Sequence, residues 1–124
     1  MIETVYLSQK AKDQLIKVKR STGIQNWNIL CRWAFCLSLK DDSIPPAIEM
    51  TNDHAIEMTW KVFGGQDHDI YFALLKDRCK KDRIGLDKED LTQQLRAHLN
   101  RGINQMVDSL KNKQIGDLLS FANT

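Results

Sequence analysis

The sequence predicts a mainly α fold with a short β-hairpin in the middle, and three observations support this. The stretch Trp27–Leu39 is apolar nearly all round at helical spacing, with Asn28 and Arg32 as its polar strip. Apolar stripes at helical spacing also precede and follow this stretch. Between them, Ile56–Val62 alternates apolar and polar residues, which is typical of a half-buried strand.

The apolar stretch Trp27–Leu39 sets the first requirement on the fold. Its thirteen residues are too few to span a membrane, so we expect no membrane segment here. A helix that is apolar on nearly every side must be covered by the rest of the chain, by another subunit, or by both. The sequence therefore favours a homo-oligomer.

The N-terminal segment predicts a short strand followed by two helices. Glu3–Leu7 carries strand-favouring residues, and Ser8 is a suitable N-cap for a helix over residues 9–22. Gly23 suits the position just after that helix, where φ is positive. A strand, a basic helix, a tight turn and an apolar helix in this order form the layout of ribbon-helix-helix DNA binders, so the fold is predicted to be ribbon-helix-helix-like.

The later elements complete one predicted domain, residues 1–124. We expect a hairpin between residues 47–50 and 55–63, with its turn at residues 51–54. A helix over residues 70–81 follows, then a helix capped by Asp87 that runs to about Leu110, and a short closing helix over Ile115–Phe121. Gly102 interrupts the long helix, and either a bend or a close helix approach explains it. No linker, repeat or low-complexity tract divides the chain.

The charge distribution points to an anionic partner. The net charge is only +2, yet residues 1–40 carry +5 and the remainder carries −3. Nucleic acid is the first candidate, and a merely solvated helix face is the alternative. The basic residues that we expect to contact DNA are Lys10, Lys12, Lys17, Lys19 and Arg20 on the first helix, with Arg32 and Arg101 as further candidates.

The sequence offers little support for an enzyme, a metal site or a cofactor. Asp67-His68-Asp69 and Asp53-His54 lack any accompanying HExxH or CxxC motif, so both are interpreted as loops. Cys79 lies near basic residues that would lower its pKa, but such a setting is common at a helix end. The odd count of three cysteines and the mixed first ten residues favour reduced thiols, no secretory signal and a cytoplasmic location.

Two polar features on apolar helices need partners. His98, Arg101 and Gln94 share one face of the long helix, where they either bind a phosphate or join helices. Arg32 requires a carboxylate or phosphate on its apolar helix, and an internal acid is the favoured partner.

Five stretches resemble the DndE family of DNA sulfur modification proteins. They are Leu7–Leu15, Lys19–Ile24, Trp27–Leu39, Ala73–Cys79 and His98–Ile103. The resemblance implies a small non-enzymatic subunit of the bacterial phosphorothioation system, which replaces a non-bridging phosphate oxygen of DNA with sulfur. It further implies a homotetramer that binds double-stranded DNA, including nicked duplex, beside partner proteins that carry out the chemistry.

Together these observations predict a non-catalytic DNA-binding subunit that contacts the phosphate backbone through lysines, with no catalytic residues, metal or cofactor. One alternative is a sequence-specific ribbon-helix-helix repressor. Another is a scaffold whose basic face meets an acidic surface of a modification enzyme.

Overall fold

The computed structural model describes residues 2–49 and 52–111, and these residues are mainly helical. In chain order the elements are β1 (Thr4–Leu7), α1 (Gln9–Thr22), α2 (Trp27–Lys40), β2 (Ile56–Thr59), α3 (Trp60–Gly64), a 3-10 turn (Gly65–Asp67), α4 (His68–Lys81) and α5 (Lys88–Lys111). The prediction of a mainly α fold with a small antiparallel β element is confirmed, although the predicted hairpin in the middle of the chain is instead a sheet of β1 with β2. The predicted helix over Ile115–Phe121 lies outside the described residues.

Helix α1 begins and ends at the residues that the sequence indicates. The Ser8 side chain accepts a hydrogen bond from the Ala11 N–H at 3.2 Å, which satisfies one of the free donors of the first turn. Gly23 adopts φ = 75°, a left-handed conformation that costs glycine little, and its N–H donates to the Lys19 carbonyl. Both ends of α1 are therefore determined locally.

Helix α2 forms the centre of the fold and makes its most extensive contacts with α5. Leu30, Ala34 and Phe35 are fully buried on the covered side of α2. Gly102 of α5 lies directly against the Ala34 backbone, because a Cβ built on Gly102 would fall 1.8 Å from the Ala34 carbonyl oxygen. Of the two explanations for Gly102, the close helix approach is correct.

The sheet differs in its pairing from the predicted hairpin. Strand β2 pairs antiparallel with β1, with Leu7 opposite Ile56 and Thr4 opposite Thr59, whereas residues 47–49 form no strand. The expected second arm over residues 55–63 is also wrong beyond Thr59. There the Thr59 side chain accepts from the Val62 N–H at 3.2 Å and caps α3. The alternation of apolar and polar residues therefore continues beyond strand β2 into helix α3, so it did not mark the end of the strand.

The outer side of α2 is only partly covered in this chain. Four of its residues, Ile29, Trp33, Cys36 and Leu37, remain half-buried. On α4, Ile70 and Leu74 are exposed.

None of the described helices combines the length and the apolar character that crossing a membrane requires.

Candidate nucleic-acid interface

Helix α1 presents the basic residues that the sequence singled out. Its buried stripe is Ala11, Leu15 and Val18, which turns the other positions toward solvent. Three of the basic side chains, Lys10, Lys17 and Arg20, are exposed, and two, Lys12 and Lys19, are half-buried.

These five side chains have no carboxylate partner in the part of the chain that the structure describes. None of them forms an ion pair within 4.0 Å of a carboxylate among the described residues. Asp13, four residues before Lys17, instead accepts a hydrogen bond from the Gln9 side chain at 2.9 Å. The Lys19 ammonium lies 4.7 Å from the centroid of the Trp27 ring, a cation–π contact that leaves its charge intact. The α1 surface is therefore available to an anionic ligand.

Arg32 lies apart from the α1 residues. Its guanidinium contacts the Gly64–Gly65 turn, with Nη1 3.5 Å from the Gly64 carbonyl oxygen. Gly65 adopts φ = 63°, and a Cβ there would come within 2.9 Å of Nη1, so a side chain at this position would displace the guanidinium. The expected internal acid is thus replaced by a backbone carbonyl, and Arg32 remains half-buried.

Arg101 is held inside the fold. Its Nε donates to the Ser38 hydroxyl at 2.8 Å, and Nη2 donates to the Ser38 and Asp41 carbonyls at 2.7 and 3.3 Å. Nη1 donates to the Ser43 carbonyl at 2.9 Å and lies 3.7 Å from the Asp41 carboxylate. With donors of all three nitrogens engaged, Arg101 fastens the C-terminal end of α2 to α5. Of the two roles considered for its helix face, joining helices is the one that the contacts support.

Arg78 belongs to the same polar cluster, and the sequence did not indicate this position. It is 6% exposed and pairs with Asp82 through Nε at 2.9 Å. Its other nitrogens donate to the carbonyls of Leu39, Asp41 and Ser43. Its i,i+4 spacing from Asp82 was the available signal, but the basic run around it favoured an exposed helix end.

Ser38 and His98 form the buried centre of this cluster. The Ser38 Oγ lies 2.7 Å from His98 Nδ1 while it accepts the hydrogen bond from Arg101. A hydroxyl can accept two hydrogen bonds and donate one, so the contact fits either tautomer of the neutral imidazole, and Nε2 has no partner among the described residues. Burial, followed by Arg78 and Arg101, lowers the pKa of His98 to about 4. Both side chains are completely buried, so this pair connects α2 to α5.

The cysteines show no reactive setting. Burial raises the pKa of Cys79 to about 11, and Asp82 adds to this effect, which is the reverse of the lowering expected from its basic neighbours. Burial likewise raises the pKa of Cys31 to about 12.

Asp53 and His54 lie in a loop, as interpreted, whereas Asp67 ends the 3-10 turn and His68 and Asp69 begin α4, so the loop interpretation of these three residues is wrong. Within residues 2–49 and 52–111, no three His, Cys, Asp or Glu residues are grouped so as to hold a metal ion.

These features define a small, mainly helical protein whose basic first helix has no ion pair among the described residues and whose second and last helices are joined by a buried polar cluster. A family model described as "DNA sulphur modification protein DndE" matches residues 4–114. The chain therefore belongs to the DndE family, as the resemblance of its sequence stretches indicated.

Two solved structures have a similar fold. The crystal structure of DndE from Escherichia coli B7A, described as involved in DNA phosphorothioation modification, has a TM-score of 0.72 at 24% identity. The alignment covers 86% of this chain and 98% of that one. A DndE mutant, described as involved in DNA phosphorothioation, has a TM-score of 0.66 at 21% identity and covers 87% of this chain and 99% of its own. No curated protein sequence matches the chain.

Proposed function

We propose that this protein is a non-catalytic, cytoplasmic, DNA-binding subunit of a bacterial DNA phosphorothioation system. The observation that carries the proposal is the α1 surface, where Lys10, Lys12, Lys17, Lys19 and Arg20 have no carboxylate partner among the described residues. Such side chains bind phosphates and release condensed counterions, so they supply affinity without reading sequence. Family membership supports the connection to DNA sulfur modification.

The arrangement of β1 argues for backbone binding over the sequence-specific repressor. A ribbon reader places a strand in a groove of the duplex and reads base edges with its side chains. Here β1 is paired with β2 of the same chain, and Tyr6, one of its two polar outward residues, is stacked on His54 with ring centroids 4.1 Å apart. We therefore assign DNA contact to α1, and we leave Arg101 out of the contact set because its donors are engaged. Arg32, which contacts the Gly64–Gly65 turn apart from α1, stays a separate candidate.

The half-buried outer side of α2 supports self-association, and we propose a homotetramer. Ile29, Trp33 and Leu37 offer an apolar strip that a second copy could cover. Replacing Trp33 by Glu is expected to reduce the solution mass to a smaller species, measured by light scattering. A wild-type protein that stays monomeric at high concentration would refute the tetramer without affecting the DNA-binding proposal.

The DNA-binding experiment is a salt titration with charge-matched variants. We expect Lys10→Glu/Lys17→Glu to weaken duplex binding at least tenfold and to flatten the slope of log K against log salt by about 2, since each lost phosphate contact removes about 0.9. The control is Lys61→Glu/Lys88→Glu, which makes the same change of charge at exposed sites on α3 and α5.

Each outcome of this titration has a definite meaning. Duplex affinity that hardly changes between about 50 and 200 mM salt would refute phosphate contact. Equal losses in both double variants would indicate a general charge effect and would refute the assignment to α1. Intact and nicked duplexes of one sequence, measured side by side, test the nick preference. Loss of partner-protein capture with unchanged DNA binding would favour the scaffold instead.

A further inference from the structure

A second feature adjoins the α1 surface at the corner between α1 and α2. Trp27, the first residue of α2, is half-buried and lies under the Lys19 ammonium at 4.7 Å. Beside it is a cavity of about 280 Å³ that Trp27 helps to line. Arg20 is exposed near the end of α1, next in sequence to Lys19. An aromatic ring, a cavity and the Lys19 ammonium therefore meet at one place, and Arg20 is the next residue of α1.

The cavity walls combine apolar and amide groups. Met58 and Val62 provide the apolar side, and Val62 is 51% exposed although it is a large aliphatic residue. The side chains of Gln25, Asn26 and Asn28 provide the polar side. A flat ligand with a polar edge suits such walls, because its faces contact carbon while its edge exchanges hydrogen bonds.

Two of these amides keep hydrogen-bonding capacity for a ligand. Asn26 occupies the N-cap position of α2 but makes no capping hydrogen bond with its side chain. Asn28 donates from Nδ2 to the Val62 carbonyl at 3.2 Å and retains Oδ1 as an acceptor. Glu57, also in the wall, can accept from an exocyclic amino group. Its negative charge disfavours a phosphate inside the cavity, which leaves phosphates to Lys19 and Arg20 outside.

We propose that this corner binds an unpaired nucleobase of DNA. The base replaces the Lys19 ammonium over the Trp27 ring, and Lys19 and Arg20 then bind the adjoining phosphates. The proposal rests on the proposed DNA binding and adds a second component to it. The α1 lysines hold any duplex, whereas the Trp27 cavity accepts a base only where that base has left the helical stack. Base–aromatic stacking is tolerant of sequence, since every base has a π face.

The test compares two duplexes that differ by one unpaired adenine. Wild-type protein is expected to bind the bulged duplex about tenfold more tightly than the fully paired one, a typical size for one stacked base. Trp27→Leu should remove this preference and leave the affinity for paired duplex unchanged, whereas Trp27→Phe should restore most of it. Phe72→Leu is the matched control, because Phe72 is also a half-buried aromatic under a lysine, with Lys76 at 4.9 Å.

A second measurement requires no variant. With 2-aminopurine as the unpaired base, binding of the wild-type protein should quench its fluorescence through stacking, and the same base inside a paired duplex should show no such change. Equal affinity of the wild type for both duplexes, absence of quenching, or an equal loss of both affinities in Trp27→Leu would overturn the nucleobase site. If paired duplex is bound with the predicted salt dependence, the proposed function survives that result. If neither duplex is bound at low salt, the proposed function itself fails.

Discussion

The contact between Gly102 and Ala34 predicts that Gly102→Ala destabilises the fold. The added methyl group would lie 1.8 Å from the Ala34 carbonyl oxygen and 2.6 Å from its Cα. Both are backbone atoms of α2, so no side-chain rotation can relieve the overlap. Helix α5 would have to move by roughly 1.5 Å to restore an ordinary contact, which would open the packing between the two helices.

The magnitude follows from two opposing effects. Overpacking in a core costs about 1–3 kcal/mol, and the rigid backbone places this site at the upper end of that range. Alanine recovers about 1 kcal/mol of helix propensity relative to glycine. We therefore expect the free energy of unfolding to fall by about 2 kcal/mol, which corresponds to a decrease in Tm on the order of 10 °C for a chain of this size.

Urea denaturation followed by circular dichroism measures this effect. The control is Gly23→Ala, where nothing lies within 4 Å of the added Cβ and only the positive φ is disfavoured, at about 1 kcal/mol. If Gly102→Ala were as stable as the wild type or more so, helix propensity would dominate, and the close approach of α5 to α2 would be incorrect.

Two further predictions concern the buried polar cluster. For His98 the folded pKa of about 4 lies below the ordinary 6.5, so its contribution to stability is complete above pH 6.5 and is lost as the pH falls toward 4. The free energy of unfolding should decrease by roughly 2–3 kcal/mol across that window, and His98→Asn should flatten this part of the pH profile. An unchanged profile in the variant would assign the pH dependence to other groups. Arg101→Met should lower the free energy of unfolding by about 2 kcal/mol, because the Ser38 hydroxyl and carbonyl lose the hydrogen bonds from Arg101, whereas the Asp41 and Ser43 carbonyls keep those from Arg78. The slope of DNA binding against salt should remain that of the wild type, and a stable variant with a flatter slope would instead show that Arg101 contacts phosphate.

The helices were predictable where their ends depend on local residues. Ser8 and Gly23 delimit α1 through hydrogen bonds to residues three or four positions away, and Asp87 caps the start of α5 by accepting from the Asp90 N–H at 2.8 Å. Such contacts are encoded within a few residues, so the sequence displays them directly.

The pairing of β2 with β1 and the burial of the arginines could not be predicted, because both depend on contacts between residues that are distant in the sequence. Residues 56–59 alternate in the same way whichever strand lies beside them, and the choice of β1 is made across about fifty residues of chain. Similarly, Arg101 resembles any exposed helical arginine until the turn after α2 brings three carbonyls to it. For the α1 lysines, by contrast, exposure followed directly from the apolar stripe opposite them.

The burial of α2 by α5 has a consequence for synthesis of the protein. Helix α3 contacts α2 from about thirty positions later, but the α5 residues that cover most of α2 are translated more than sixty positions later, as the 63-residue separation of Ser38 and Arg101 shows. At roughly 5–20 residues per second, the ribosome takes several seconds to supply them. Throughout that interval the nascent polypeptide exposes an aggregation-prone apolar segment, so its yield in cells should depend on chaperone capacity more strongly than the stability of the finished fold would indicate.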